Sequence, residues 1–281
     1  MFFDFDDFDV RDRFYAIEEK TESLNLILSS LPEAKSTRFL DMCARAFIYH
    51  DSALDGLVVS NEEIASVFNS EARGLYIRSK VMQEIANHRR CLMATRGQAL
   101  KALCEAHTYR CDIIEFDKVL ELHSALYEGI SRREAGMLRV AVPLHSSFFH
   151  SFEQPRFIKE KLQRLCRDTE NPEFRVQHAI NQAVLFHHEF MKIFPFTEGS
   201  GKVGRLLMNS FLLQSKYDVA IIHSSERQRY YEALNEGPQE LREVLLDNME
   251  SSLNVQIKYL QEDGLPIRDE KIVTNYVQLG A

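Results

Sequence analysis

The sequence contains few prolines and glycines, which interrupt helices, and few cysteines, which form disulfide bonds and bind zinc. Tryptophan is absent, and the 281 residues include only 7 prolines and 11 glycines. Because proline and glycine end or weaken helices, their scarcity predicts long helices joined by short connections. The 5 cysteines form no C-x-x-C pair and are odd in number, which argues against a zinc ribbon and a disulfide framework. We interpret them as buried thiols of a reducing compartment.

Charge and hydropathy exclude further classes of protein. The net charge is -8, from 34 basic and 42 acidic residues, and no basic face stands out, so we expect no nucleic-acid partner. No apolar run approaches the roughly 18–20 residues of a membrane span. Residues 1–9 alternate acidic and aromatic side chains and lack the basic start of a secretory signal. We therefore expect a cytoplasmic protein, with delivery into a host cell as the alternative.

Apolar residues recur at three- and four-residue spacing through most of the chain, which predicts an all-α fold. The predicted helices cover residues 11–31, 36–54, 62–72, 77–104, 114–128, 155–167, 174–193, 205–215, 226–235 and 239–259. Strand signal is confined to residues 138–143 and, more weakly, 219–222. We predict an N-terminal helical extension over residues 1–110, a helical core over 111–260 and a C-terminal tail over 261–281.

One segment, residues 193–205 with the sequence IFPFTEGSGKVGR, carries most of the functional information. Pro195 ends the preceding helix, because proline lacks an amide hydrogen and crowds the preceding turn. Glycines allow a ligand to approach the backbone, and the first amides of the next helix favour an anion. Lys202 and Arg205 add positive charge suited to phosphate oxygens, and Glu198 adds a carboxylate suited to magnesium. From spacing alone, a phosphate site and a solvated glycine-rich turn are equal alternatives.

The same segment resembles the core motif of the Fic (Fido) family, H-(P/x)-F-x-(D/E)-G-N-G-(R/K)-x-x-R. The proline, the phenylalanine, the acidic residue, both motif glycines and the final arginine match. Three positions differ, since Phe194 stands at the histidine, Ser200 at the asparagine and Lys202 at the first arginine. A lysine keeps the charge of an arginine but loses its forked geometry.

Other segments extend this resemblance over roughly residues 110–255. Residues 136–139 match a G-x-x-R segment that leads into a short β-hairpin flap in the family. A pair of adjacent histidines, His187 and His188, precedes the motif, and an R-x-x-Y-x-x-A-L segment follows it at residues 227–234. The order of these segments makes the resemblance much more specific than the loop alone.

The resemblance implies transfer of AMP from ATP to a hydroxyl group of a target protein, with Mg²⁺ as the metal. In that reaction the motif histidine accepts the hydroxyl proton, the acidic residue holds magnesium and the other motif residues hold the phosphates. The implied phosphate-binding positions are Gly199, Ser200, Gly201, Lys202 and Arg205, and the implied metal position is Glu198. The implied nucleobase side is at Tyr230 and Tyr231, and the flap that docks a target protein is at Arg139, Val140 and Val142.

An earlier segment, residues 51–56, resembles the inhibitory S/T-x-x-x-E-G helix of many Fic proteins. Asp55 stands at the position of the inhibitory glutamate, and Asp51 at that of the first hydroxyl residue. The resemblance implies that Asp55 pairs with Arg205 and blocks productive ATP binding. The alternative is a plain helix end, in which Gly56 supplies a left-handed cap. The sequence leaves both interpretations open.

Phe194 decides the predicted activity, because phenylalanine accepts no proton at any pH. We expect no catalytic residue at this position and predict a nucleotide- or phosphate-binding pseudoenzyme that has lost ordinary adenylylation. One alternative is an active transferase that has altered chemistry or an altered substrate and uses the same phosphate-binding residues. His187 and His188 are the nearest candidate bases, although such histidines are more often core residues. Another alternative is a ligand-free interaction protein. The expected partners are a protein docked on the flap and a second copy of this chain.

Overall fold

The computed structural model describes residues 8–72, 79–105, 114–130, 134–143 and 152–262. The expectations for residues 1–7, for Cys111 and for the tail from residue 263 onward lie outside these ranges. The division of the chain into an extension, a core and a tail stays a prediction.

Helices form the regular structure of the described residues, and the all-α prediction is confirmed. The helices are α1 (Phe8–Ser30), α2 (Glu33–Leu54), α3 (Asn61–Ala72), α4 (Lys80–Glu105), α5 (Phe116–Leu126), α6 (Pro155–Asp168), α7 (Pro172–Arg175), α8 (Ala179–Ile193), α9 (Ser200–Gln214), a 3-10 turn (Ser224–Glu226), α10 (Arg227–Glu236) and α11 (Pro238–Glu262). Prolines begin α6, α7 and α11, where a missing amide hydrogen costs nothing.

Helix α8 lies at the centre of the molecule and is buried on nearly all sides. It packs most extensively against α9, and it also contacts α6 and α11. Helix α9 packs in turn against α4 and α2, which brings the N-terminal helices over the glycine segment. None of the helices in the described part of the chain is both long and apolar enough to cross a bilayer.

The two predicted strands, residues 138–143 and 219–222, are wrong, since neither range forms a strand in the described structure. Their backbone groups bond to other partners. The amide of Arg139 donates to the carbonyl of Pro195 at 2.9 Å. The amide and carbonyl of Ala220 are both satisfied by the side chain of Asn209, at 2.7 and 3.3 Å. The predicted β-hairpin flap is therefore not observed among the described residues.

The predicted helix over residues 174–193 is interrupted at residues 176–178, which separates α7 from α8. His178 begins α8 as its N-cap, with Nδ1 accepting from the amide of Ile180 at 3.3 Å. The side-chain amide of Gln182 donates to three carbonyls of the interrupted turn at 3.0–3.1 Å. These side-chain hydrogen bonds compete with the helical ladder and replace it here.

Helix α9 begins at Ser200, earlier than the predicted start at Arg205, so part of the glycine segment is helical. Gly204 lies inside this helix, where an added Cβ would come within 2.9 Å of the Phe190 ring and 3.0 Å of the His187 ring. The glycine therefore permits the close packing of α9 on α8. This packing explains a glycine that would otherwise weaken a helix.

Candidate functional site

Phe194 ends α8 in an unusual backbone conformation. Its φ of 46° and ψ of 67° lie in the left-handed region, which is unfavourable for a bulky side chain. The carbonyl of Phe194 accepts from Nε of Arg139 at 2.6 Å, and its ring stacks on Phe152 with 4.1 Å between centroids. The position of the motif histidine is thus occupied by a packed apolar ring, which offers no site for a proton.

Arg139 is 2% exposed and fixes the segment after α5 to the end of α8. Besides Phe194, its guanidinium donates to the carbonyls of Ala141, Glu153 and Ile193 at 3.1, 2.5 and 3.2 Å. Burial lowers the pKa of Arg139, against a smaller opposing effect of the Glu153 carboxylate. Its role in the described structure is therefore to hold backbone carbonyls in place.

The other two predicted flap residues point away from the protein. Val140 is 85% exposed and Val142 is 44% exposed, next to a fully buried Arg139. Met137, on the other side of Arg139, is 60% exposed. The segment is anchored by one arginine and leaves its apolar side chains accessible.

Ser200, at the position of the motif asparagine, serves the loop itself. Its hydroxyl donates to the carbonyl of Phe196 at 3.1 Å and accepts from the amide of the same residue at 2.9 Å. Its side chain is buried beneath the loop. Ser200 therefore closes the turn that joins α8 to α9.

Two side chains that the sequence did not single out support this turn, His123 of α5 and Tyr127 directly after the end of α5. The His123 ring stacks on the Phe196 ring with 3.8 Å between their centroids. Its Nε2 donates to the carbonyl of Glu198 at 3.0 Å, and its Nδ1 accepts from the amide of Gly136 at 2.8 Å. An added Cβ at Gly199, whose φ is +77°, would collide with the ring of Tyr127. Gly199 thus allows both the left-handed turn and the approach of Tyr127.

Arg205 is 1% exposed and is held by two carboxylates from the end of α2. Its Nη2 donates to Oδ1 of Asp55 at 2.7 Å, and its Nε donates to the carboxylate of Asp51. Burial alone would lower the pKa of Arg205, but Asp51 and Asp55 raise it well above its usual value. Arg205 is thus a permanently charged group whose counter-ions belong to the protein.

At residues 51–56 the helix cap and the ion pair between Asp55 and Arg205 are both present, while an inhibitory role of Asp55 stays a prediction. Gly56 has a φ of +82°, its amide donates to the carbonyl of Ala53 at 3.0 Å, and the amide of Leu57 donates to the carbonyl of Ser52 at 2.9 Å. These two bonds form the Schellman cap of α2. The same cap places Asp55 against Arg205, so the helix end positions the ion pair.

Lys202 is paired with Glu84 of α4, a residue that the sequence analysis did not identify. Nζ of Lys202 lies 3.5 Å from Oε2 of Glu84, and both side chains are under 10% exposed. One turn further along α4, Nε2 of His88 lies 3.2 Å from Oδ2 of Asp51. Burial, followed by the charges of Lys202 and Arg205, lowers the pKa of His88 well below its usual value. His88 is therefore a neutral ring packed beside the Asp51 carboxylate.

Asp55 also covers the start of α9. An added Cβ at Gly201 would overlap the carboxylate of Asp55 and the guanidinium of Arg205. An anion is favourable here because the first amides of a helix have no acceptor within it and the helix dipole is positive at this end. The Asp55 carboxylate therefore lies where the sequence predicts an anionic ligand.

The predicted nucleobase-side tyrosines are buried in this arrangement. The hydroxyl of Tyr230 lies 2.7 Å from Nε2 of His187 and 3.4 Å from Nη1 of Arg205, and burial raises the pKa of Tyr230 to about 12. The hydroxyl of Tyr231 donates to the carbonyl of Leu54, at the end of α2, at 3.2 Å. His187 is thus a core residue that orients Tyr230. His188 instead faces Glu189, with Nδ1 3.4 Å from Oε1.

Glu198 is exposed at the turn before α9. The described residues contain no group of three or more His, Cys, Asp or Glu side chains that could hold a metal ion. A single carboxylate fits a magnesium ion only where phosphate oxygens and water complete the shell, as is usual for Mg²⁺ bound with a nucleotide. The donor set therefore fits metal bound with a ligand better than metal bound alone.

Comparison with known proteins identifies this arrangement as that of a Fic domain. Residues 113–212 match the model of the Fic/DOC family, which identifies this part of the chain as a Fic/DOC domain. The matched range contains the whole segment from Phe194 to Arg205. The resemblance predicted from the sequence is confirmed.

Similar sequences carry the name of protein adenylyltransferases. The chain is 24% identical over 228 residues to protein adenylyltransferase fic-1 of Caenorhabditis elegans. This alignment covers 81% of this chain and 40% of that protein. It is 25% identical over 222 residues to protein adenylyltransferase Fic of Nematostella vectensis, covering 79% of this chain and 49% of that protein. The chain thus spans less than half the length of these relatives.

Solved structures share the fold at lower identity. A Fic-domain-containing signalling protein from Bacteroides thetaiotaomicron aligns with a TM-score of 0.70 at 17% identity, over 91% of this chain and 99% of the other. Fic-1 from C. elegans aligns with a TM-score of 0.65 at 21% identity, over 90% of this chain and 73% of the other. These alignments extend the likeness in fold beyond the Fic/DOC match into the N-terminal helices.

Proposed function

We propose that this chain is a nucleotide-binding Fic-fold pseudoenzyme, which binds ATP through its phosphates and does not carry out ordinary protein adenylylation. The observation that carries the proposal is Phe194. A phenylalanine ring stacked on Phe152 stands where the family motif has its general base. Loss of a general base removes a contribution of about 10²–10⁴-fold to a proton-transfer step.

The proposed phosphate contacts come from the start of α9. The amides at Gly201 and Lys202 lie in the first turn of that helix, and the side chains of Lys202 and Arg205 supply two positive charges. Glu198 would hold Mg²⁺ together with the phosphates. Bound ATP would supply an activated α-phosphate, but the protein has no base at residue 194 to accept the proton of an attacking hydroxyl. The chain would then act on a partner by binding.

Asp55 is the proposed inhibitory residue. It holds Nη2 of Arg205 and lies against Gly201, so a phosphate at the start of α9 would have to displace its carboxylate. A phosphate and the Asp55 carboxylate so close together would repel each other strongly where water is excluded. We therefore propose that the described structure is the closed form of the site.

Calorimetric titration with Mg-ATP tests this proposal. We expect weak binding to the wild-type protein and binding about tenfold tighter to Asp55→Ala, an effect of the size that couplings between two binding events typically have. Asp41→Ala is the matched control, because Asp41 is an α2 carboxylate that pairs with Arg89 at 3.3 Å. It should leave the affinity unchanged.

Intact-mass analysis of the same samples tests the loss of activity. We expect no covalent AMP on the protein after incubation with Mg-ATP, in the wild type or in Asp55→Ala. Incorporation of AMP into either protein would contradict the pseudoenzyme proposal. Absence of ATP binding in every variant would contradict nucleotide binding and favour a ligand-free interaction protein.

A further inference from the structure

Helices α4 and α9 face each other through matched charged residues. Glu84 and His88 share one face of α4 because they are four residues apart. Lys202 and Arg205 share one face of α9 because they are three residues apart. Glu84 contacts Lys202, and His88 contacts Asp51, the partner of Arg205. Helix α4 therefore contacts one cation of the phosphate site directly and supports the counter-ion of the other.

The pair between Glu84 and Lys202 is buried but loosely made. The side chains are 8% and 6% exposed, so each charge has lost most of its contact with water. Removal from water is costly for both groups and is offset only by good geometry. The Nζ–Oε2 distance of 3.5 Å is longer than the roughly 2.7–2.9 Å of a strong charge-assisted hydrogen bond. A phosphate oxygen could therefore bind the Lys202 ammonium more closely than Glu84 does.

Arg205 is held differently. It contacts both Asp51 and Asp55 of α2, the latter at 2.7 Å. Its pair with Asp51 is almost completely buried, with side-chain exposures of 2% and 1%. Among the described contacts, the two cations of the site thus have separate counter-ions from separate helices. Glu84 pairs with Lys202, and Asp51 and Asp55 pair with Arg205.

We propose that Glu84 closes the phosphate subsite at Lys202, so that α4 is a second inhibitory element independent of α2. This inference rests on the proposed function, because it concerns the same nucleotide site. A phosphate group entering the site displaces Glu84 from Lys202 and Asp55 from Arg205. Removal of either carboxylate strengthens binding, and removal of both strengthens it further.

The test is a double-mutant cycle with Asp55→Ala, Glu84→Gln and the combined variant, titrated with Mg-ATP and with inorganic triphosphate. Glutamine keeps the length of the side chain and removes its charge. We expect about tenfold tighter binding of both ligands for Glu84→Gln than for the wild type, an effect of the size that couplings between two binding events typically have. The combined variant should bind more tightly than Asp55→Ala alone.

Asp218→Asn is the control for general damage to a buried ion pair. Asp218 lies 2.7 Å from Arg96 of α4, with side-chain exposures of 15% and 11%, and it follows the C-terminal end of α9. Lys202 lies in the first turn of the same helix. Asp218→Asn should weaken stability and leave triphosphate affinity at the wild-type value.

The outcomes separate this inference from the proposed function. If Asp55→Ala tightens ATP binding while Glu84→Gln changes nothing alone or in combination, Glu84 is a structural partner only and the inference is wrong. If none of the proteins binds ATP or triphosphate, the proposed function fails as well. Should Glu84→Gln not fold, Glu84→Asp retains the charge and shortens the reach to Lys202. It should give a smaller gain in affinity in the same direction, and no gain would overturn the inference.

Discussion

At the scale of single residues, Phe194 combines a left-handed backbone with an aromatic side chain. Its φ of 46° is set by the turn that leaves α8, and Arg139 holds its carbonyl at 2.6 Å. The backbone at this position is thus fixed by contacts that do not depend on the side chain. A histidine at residue 194 would therefore adopt the same backbone conformation as Phe194.

Reversion of the motif should partly restore AMP transfer. Phe194→His, Ser200→Asn and Lys202→Arg are combined in an Asp55→Ala background, which removes the carboxylate from Arg205. We expect self-modification by AMP, because a restored base is worth about 10²–10⁴-fold. Intact mass after incubation with Mg-ATP measures it. A folded variant that binds ATP and stays unmodified would show that residue 194 is not the position of the base.

Lys216 is the second non-glycine residue with a positive φ in the described structure, at 68°. The amides of Lys216 and Tyr217 donate to the carbonyls of Leu213 and Leu212 at 3.1 Å, which is a Schellman cap with lysine at the position that favours glycine. We expect Lys216→Gly to raise the free energy of unfolding by about 0.5–1 kcal/mol, because glycine adopts this conformation without strain. Urea denaturation measures the change.

Gly56 provides the matched reverse experiment. Its φ is +82°, and an added Cβ would meet nothing within 4 Å. Gly56→Ala should therefore lower the free energy of unfolding by roughly 1 kcal/mol through backbone strain alone. Lys216→Gly and Gly56→Ala should thus change the free energy of unfolding in opposite directions. Equal changes in the same direction would show that backbone conformation does not decide stability at these caps.

At the scale of secondary-structure elements, the segment containing Arg139 depends on one buried guanidinium. Arg139→Met would leave the carbonyls of Ala141, Glu153, Ile193 and Phe194 without this donor. We expect a loss of at least about 2 kcal/mol in unfolding free energy, because an unsatisfied buried carbonyl alone costs about 1–3 kcal/mol. Thermal unfolding measures it. Arg156→Met, at an exposed arginine beside Phe157, should change stability by less than about 0.5 kcal/mol.

Most helices were predictable from the sequence because their apolar periodicity is local. Predicted and observed ends of α2, α3 and α6 agree within a few residues, and all the predicted helical segments are found. The errors occur where side chains compete with the backbone. Gln182 and His178 interrupt a helix that the periodicity continues, and Asn209 bonds to a segment that resembles a strand.

The site was only partly predictable for a different reason. The positions from Glu198 to Arg205 form one continuous segment, so a motif reveals them. Their counter-ions come from far away in the chain, since Asp51 lies 154 residues before Arg205. No local pattern distinguishes Glu84 from a solvated glutamate on α4, because its role arises only when α4 packs on α9. Tertiary packing therefore decides whether the residues of the predicted phosphate site are accessible.

At the scale of the whole molecule, buried histidines couple stability to pH. Burial, with a smaller contribution from His223, lowers the pKa of His50 from 6.5 to about 3. Burial also lowers the pKa of His88 well below 6.5. His50 is 3% exposed and accepts at Nδ1 from the amide of Ser224 at 3.1 Å. Both rings are therefore held neutral by the fold.

The sign of the effect follows from proton linkage. Below pH 6.5 the unfolded chain binds protons on these histidines that the folded protein does not bind, so stability is full above pH 6.5 and falls as the pH decreases toward the folded-state pKa. The loss is about 1.4 kcal/mol per pH unit for each such histidine, or roughly 2 kcal/mol each at pH 5. Carboxylates in ion pairs add to the loss mainly at more acidic pH.

Urea unfolding between pH 7 and pH 5 measures this dependence. The wild-type protein should lose stability steeply over the interval. His50→Asn keeps an acceptor near the position of Nδ1 and removes the titrating group. It should be less stable than the wild type at pH 7, but its stability should fall by about 1.4 kcal/mol less per pH unit below pH 6.5. Parallel curves for the two proteins would mean that His50 takes up its proton in the folded state as readily as in the unfolded chain, which its burial against Ser224 argues against.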